Sequence, residues 1–187
     1  FSAAAAARDV SWDRVHAFAS GGPDPADGGD GLLEADVVLE APSDDLFDGD
    51  FRTASGSISI ALHQSQVFRI PFFTDLVGIL GAVVPGVDLL MDRDSLDLRA
   101  KLASGVLDIS RLDIEGTAFS IAGRGRAWTG DGSIDLTLDV HLLNRGTWLG
   151  AGVYWLVTPI SKIFAIRASG TFDDPQWSSA RLSSGRK

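Results

Sequence analysis

Apolar and polar residues alternate with a period of two along most of the chain, and the alternation breaks at a few defined places. Leu33, Ala35, Val37, Leu39 and Ala41 are interleaved with Glu34, Asp36 and Glu40, and Ile58, Ile60 and Leu62 with Ser57, Ser59 and His63. Successive strand side chains point to opposite faces, so each run predicts a strand with one apolar face. The clearest stretch comes later. Leu96, Leu98, Ala100 and Leu102 alternate with Asp97, Arg99 and Lys101, and Leu107 and Ile109 lead to Leu112 and Ile114. Phe119, Ile121 and Gly123 alternate with Ser120 and Arg124, and Ile134, Leu136, Leu138, Val140 and Leu142 with Asp135, Thr137, Asp139 and His141. A last run, Phe164, Ile166, Ala168, Gly170 and Phe172, leaves through Asp173-Asp174-Pro175. Ser/Gly and Gly/Asp punctuation between runs predicts an antiparallel meander. The phase slips between Ile109 and Leu112, which places a bulge at Ser110-Arg111 and a bend in that strand. Strands of about ten residues span roughly 35 Å. The fold class predicted is mainly β, a β-rich α+β arrangement in which a long curved antiparallel sheet forms a groove or half-barrel with two short apolar helices.

Those helices interrupt the alternation. After Pro71, the residues Phe73, Leu76, Val77, Leu80 and Val83 fall at helical spacing until Pro85-Gly86 stops the run, giving a helix over residues 71–84. From Thr147 to Ile163, Leu149, Val153, Leu156 and Ile160 form a stripe flanked by Trp148 and Trp155, the second helix. The first fifty residues are less regular. The alanines of Ala3 to Ser20, with Val10, Val15 and Phe18, suggest a short helix, followed by a Gly/Pro/Asp loop from Gly21 to Gly31. The expected division is an irregular or helical segment over 1–31, a β-groove domain over 32–178, and a polar, flexible tail over 179–187.

Composition narrows the chemistry. The chain has 187 residues, 45% of them hydrophobic and 22% charged, which suits one domain with a real core. The formal net charge of −9 is the wrong sign for tracking polyphosphate, so nucleic acid is not an expected partner. With no cysteine there is neither a disulfide nor a thiolate nucleophile. His16, His63 and His141 are scattered outside any metal-binding frame, and the acidic loops Asp24 to Asp30 and Asp44 to Asp50 lack the calcium-loop pattern. No metal or cofactor is expected. No G-x-S-x-G elbow is present. Gly123 to Arg126 lacks phosphate-cradle spacing and reads as the end of a strand where glycine permits close approach. Asp97 and Asp135 would do acid/base work only if a pocket joined them, and a polar strand face explains both.

What stands out is apolar surface. One antiparallel sheet needs a cover for its hydrophobic face, and two short helices are little cover for five or six long strands. Two outcomes are open: the core closes completely, or part of the face stays uncovered. An open trough suits an acyl chain, since each methylene gains about 0.8 kcal/mol on leaving water.

The order of elements resembles the C-terminal region of the AsmA-like family, which counts TamB and YhdP among its relatives. The features that carry the resemblance are Gly56-Ser57-Ile58-Ser59-Ile60, the Ile70-Pro71-Phe72-Phe73 helix with its Leu76-Val77-Gly78-Ile79-Leu80 centre, and the strand pair 95–114. They continue through Phe119 to Gly125, Gly132 to Leu136, and the apolar helix before Phe164, and end on Ala168-Ser169-Gly170-Thr171-Phe172-Asp173-Asp174-Pro175. The resemblance spans about residues 32–178. It implies a non-enzymatic terminal module that shields or hands over phospholipid acyl chains between membranes. Its home would be periplasmic, with the membrane anchor outside this chain, as the opening Phe1 also suggests, and with an envelope protein as a further partner. By position, Leu96, Leu98, Phe119, Ile121, Leu136 and Leu138 would line the lipid groove. Phe72, Phe73, Leu76, Leu80, Trp148 and Trp155 would form helices at its mouth or against the membrane. The alternative reading is an assembly scaffold that caps a β-groove and pairs through a strand edge.

Overall fold

In a computed structural model the alternating runs become the strands of a single sheet, described over residues 2–12, 14–15, 31–42, 51–65, 67, 71–83, 94–116, 119–142 and 164–180. The strands are β1 (Ser2–Ser11), β2 (Leu32–Glu40), β3 (Ser55–Ser65), β4 (Asp94–Ala103), β5 (Val106–Glu115), β6 (Phe119–Trp128), β7 (Ser133–Leu142), β8 (Phe164–Thr171) and β9 (Pro175–Ala180). Each lies beside its neighbour in sequence, so the nine make one antiparallel meander in the order β1 to β9. Among the described residues a helix, α1 (Pro71–Val83), is inserted between β3 and β4. The second expected helix, residues 147–163 with Trp148 and Trp155, lies outside the described residues.

Local chemistry fixes the connections. Ser104 (φ 50°) and Gly105 (φ 74°) both take positive φ in the two-residue turn between β4 and β5, the backbone that matches the twist of a hairpin. The Gly105 carbonyl then accepts from Thr129 N at 2.9 Å and Thr129 Oγ1 at 3.1 Å, tying this turn to the one after β6. The bulge falls where the phase slip places it. Ile109 pairs with Gly125 and Leu112 with Gly123, so Ser110 and Arg111 together face Arg124. Ser110 Oγ donates to the Arg99 carbonyl at 3.2 Å, engaging a group that the bulge would leave exposed.

Gly123-Arg124-Gly125 is the middle of β6, not its end, and packing demands both glycines. A Cβ on Gly123 would come 2.6 Å from Leu138 Cδ2 and 3.1 Å from Leu112 Cδ2, while one on Gly125 would strike the Asp135 carbonyl. The side chains of β5 and β7 meet across the space that Gly123 leaves open.

Two expectations fail at the ends. Residues 2–11 form a strand where the alanine content suggested a helix, and Trp12, Arg14 and Val15 are helical, while the rest of the expected helix and nearly all of the expected loop, residues 16–30, lie outside the described residues. Helix propensity is a weak prior, and pairing with the otherwise bare edge of β2, Ala3 to Leu39 and Ala5 to Val37, outweighs it. At the other end the polar residues after Asp174 continue as β9, with Trp177 opposite Ala168, so the sheet runs beyond the 32–178 unit on both sides. The strands of β1 to β8 have the expected length, eight to eleven residues, with only β9 shorter.

Candidate apolar site

Register puts the large apolar side chains on one face. Leu62, Leu96 and Ile114 line up across β3 to β5, Ile121 and Val140 across β6 and β7, and Leu138 with Ile166 across β7 and β8. The opposite face carries the charges. Arg167 Nε donates to Asp135 Oδ1 and Nη2 to Oδ2, both at 2.8 Å. Arg111 Nε donates to Asp113 Oδ2 at 2.6 Å, and Arg8 Nη2 to Asp36 Oδ1 at 2.7 Å. Hydrogen bonding to Arg167 holds the Asp135 carboxyl below its ordinary value and raises the guanidinium in turn. These are exposed pairs that keep the polar face soluble without adding much stability. Asp97 and Asp135 stand on β4 and β7 with two strands between them, so no acid/base pair is assembled. Among the described residues, no three His, Asp or Glu side chains converge as a metal site.

The apolar face divides into a covered part and a half-open part. Leu96, Phe119, Ile121, Leu136 and Leu138 are buried in one cluster with Phe72, Phe73, Leu76 and Leu80 of α1. The expected groove lining and the expected mouth helix are therefore packed on each other. The helix is amphipathic in the same sense: its Phe and Leu residues are buried against the sheet, while Asp75 and Gly78 are exposed. Toward β1 the cover thins. Leu98, the sixth expected lining residue, is half-buried, as are Ala35, Val37, Leu39, Ile58 and Ile60, and Ala3 and Ala5 on β1 are exposed. Across the strands, Ala5, Val37 and Ile58 adjoin, as do Ala7, Ala35, Ile60 and Leu98. This strip was readable as strand alternation, yet nothing in the sequence marks it as the less covered part, because coverage depends on where α1 lies.

A cluster of aromatic rings closes the far end. The Phe72 ring is 5.0 Å from Phe73, 5.5 Å from Phe172 and 5.3 Å from Trp177, so the first turn of α1 is fastened to β9 and to the turn before it. Phe172 is 46% exposed and Phe73 only 5%, so the cluster runs from surface to core. Within it, Trp177 Nε1 is buried and has no hydrogen-bond acceptor. Sequence reading missed Phe172 and Trp177, the first because it closes a strand and the second because it sits in a polar tail.

No helix of the described residues is long and apolar enough to cross a membrane. No family model, curated protein or solved structure matches the chain.

Proposed function

We propose that this chain is a non-enzymatic, terminal AsmA-like module of a membrane-anchored protein of the bacterial periplasm, one that shields phospholipid acyl chains or passes them on. The observation that carries the reading is the half-covered apolar strip that runs from β1 to β4, with Val37, Ile58, Ile60 and Leu98 at its centre. An acyl chain laid along these side chains would remove apolar area from water on both partners, at about 25 cal/mol per Å². Long strands and the Ser110-Arg111 bulge favour a sheet bent into a groove or half-barrel around such a guest. The buried lining residues Leu96, Phe119, Ile121, Leu136 and Leu138 then serve as the floor on which α1 rests, and the guest's place begins where α1 ends.

A specific observation also favours the scaffold reading. The edge strand β1 has six uncharged residues, Ser2 to Ala7, with no proline or lysine to discourage a further strand. An envelope protein could add a strand there and continue the sheet.

Native mass spectrometry of the purified chain, incubated with dioleoyl phosphatidylcholine and stripped of free lipid, separates the two. A retained 1:1 lipid complex that is lost in Ile58→Asp supports lipid shielding. A lipid-free chain that still gains protection of its β1 amides on adding a strand-forming partner supports the scaffold.

A further inference from the structure

We infer that the outer edge of β1 takes an added strand of about six residues in which apolar and cationic side chains alternate. This rests on the strand-addition reading of β1 and names the partner's chemistry; it is independent of the lipid reading. Among the described residues no strand pairs with the outer side of β1, and Ser2 to Ala7 presents side chains too small to obstruct a newcomer on either face. The other edge, β9, is six residues long and opens on Pro175, which cannot donate to a ladder.

A bulge sets the length of the docking edge. Pairing with β2 slips between Ala7 and Val10, and Asp9 takes φ 52°, so the regular edge ends at Ala7. Arg8, the one cation of β1, turns inward there. Its Nη1 donates to the carbonyls of Ala7 at 2.9 Å and Ala35 at 3.3 Å, and its Nη2 to Asp36 Oδ1 and Oδ2 at 2.7 and 2.8 Å. A charge that would guard the edge is thereby engaged within the sheet.

The remaining charge selects the partner. β1 and β2 carry Asp9, Glu34, Asp36 and Glu40 against Arg8 alone, and β3 adds no Asp, Glu, Lys or Arg. Of the four carboxylates only Asp36 is ion-paired among the described residues. On the polar face an added strand would lie against Ser2, Ala4 and Ala6, with Glu40, Val38 and Asp36 behind them. Backbones two strands apart are about 10 Å from each other, a gap that extended lysine and glutamate side chains bridge over Ser2. On the opposite face the strand would meet Ala3, Ala5 and Ala7, where apolar side chains continue the half-covered strip. An acidic strand would set like charges side by side at the same places.

The test uses three capped synthetic hexapeptides: one alternating lysine and valine, one alternating glutamate and valine, and one with three lysines followed by three valines. Amide hydrogen exchange read by NMR on the full chain reports both the site and the affinity. The alternating lysine peptide is expected to protect amides of β1 and not those of β9, binding about tenfold tighter than the glutamate peptide at low salt. In Glu34→Gln/Glu40→Gln, two changes outside the packed cluster beneath α1, that advantage should fall to about threefold or less. The block peptide has the same charge in the wrong pattern and is expected to leave β1 unprotected. Equal protection of β1 by the lysine and glutamate peptides, an unchanged advantage in the double variant, or protection by the block peptide matching that of the alternating one overturns the inference and leaves strand addition standing. Protection of no β1 amide by any of the three overturns both.

Discussion

Gly123 and Leu138 face each other across β6 and β7, and the space that one lacks is filled by the other. Leu138 is fully buried, so Leu138→Ala leaves a cavity and should cost about 3 kcal/mol, within the 2 to 5 range for such truncations. Gly123→Ala places a methyl 2.6 Å from Leu138 Cδ2 and 3.1 to 3.2 Å from Leu112 side-chain atoms. Overpacking of that kind costs about 1 to 3 kcal/mol, somewhat offset because alanine is a better strand residue than glycine. In the double variant the new methyl enters the room that Leu138 vacates. The two costs should fail to add by about 1 to 2 kcal/mol in the favourable direction, the size expected for residues in contact. Urea unfolding of the four proteins, followed by far-UV circular dichroism with a common m value, measures the coupling. Additivity within about 0.5 kcal/mol would mean that Gly123 is not kept open by Leu138, and the packing account of β6 would be wrong.

Three more outcomes are expected. Ile58→Asp, on the half-open strip, should leave the chain folded, whereas Leu138→Asp should abolish cooperative unfolding, because only the second forces a carboxylate into a fully buried site; melting curves distinguish them. The Asp135 carboxyl is held low by Arg167, so its contribution is present above about pH 4 and is lost as pH falls through the depressed folded value. With side chains 43% and 55% exposed the pair is well screened by water, and the urea midpoint gap between wild type and Asp135→Asn should be small at pH 7 and vanish near pH 2. Hydrogen exchange should be faster at the outward-facing amides of the edge strand β1 than at the amides of β6, which is paired on both sides.

The sequence makes the interior of the sheet legible and its margins obscure, for one physical reason. Strands β2 to β8 each bury one face, so burial imposes a period of two, and even the slip at Ser110-Arg111 is readable because the apolar phase must recover after it. Edge strands are held from one side and bury less. Ala3 to Ala7 is apolar at every position and shows no alternation, and Pro175 to Ala180 has Trp177 as its one large apolar side chain. Pairing with β2 and β8 makes both into strands, and pairing is invisible to a local pattern. The candidate site was half legible for a related reason. Periodicity says which residues share a face, and Leu96, Leu98, Phe119, Ile121, Leu136 and Leu138 do share one. It does not say which part of that face α1 occupies.

Coverage is where fold and function meet in this chain. The helix brings four large apolar side chains, Phe72, Phe73, Leu76 and Leu80, to a sheet nine strands wide. A helix with side chains is about 10 Å across, and neighbouring strands are about 4.8 Å apart, so one helix covers two or three strands. The apolar residues of β1 to β3 therefore need either further chain or a guest. The residues themselves differ in a way that suits a guest: toward β1 the face changes from leucine and phenylalanine to alanine, valine and isoleucine, a shallower floor. A bulkier floor at Ala3 and Ala5 would fill the strip from its β1 side. Substituting leucine at both, where the side chains are exposed and outside the packed cluster beneath α1, should therefore displace a bound acyl chain, and the same pair of changes should leave the urea midpoint nearly unmoved.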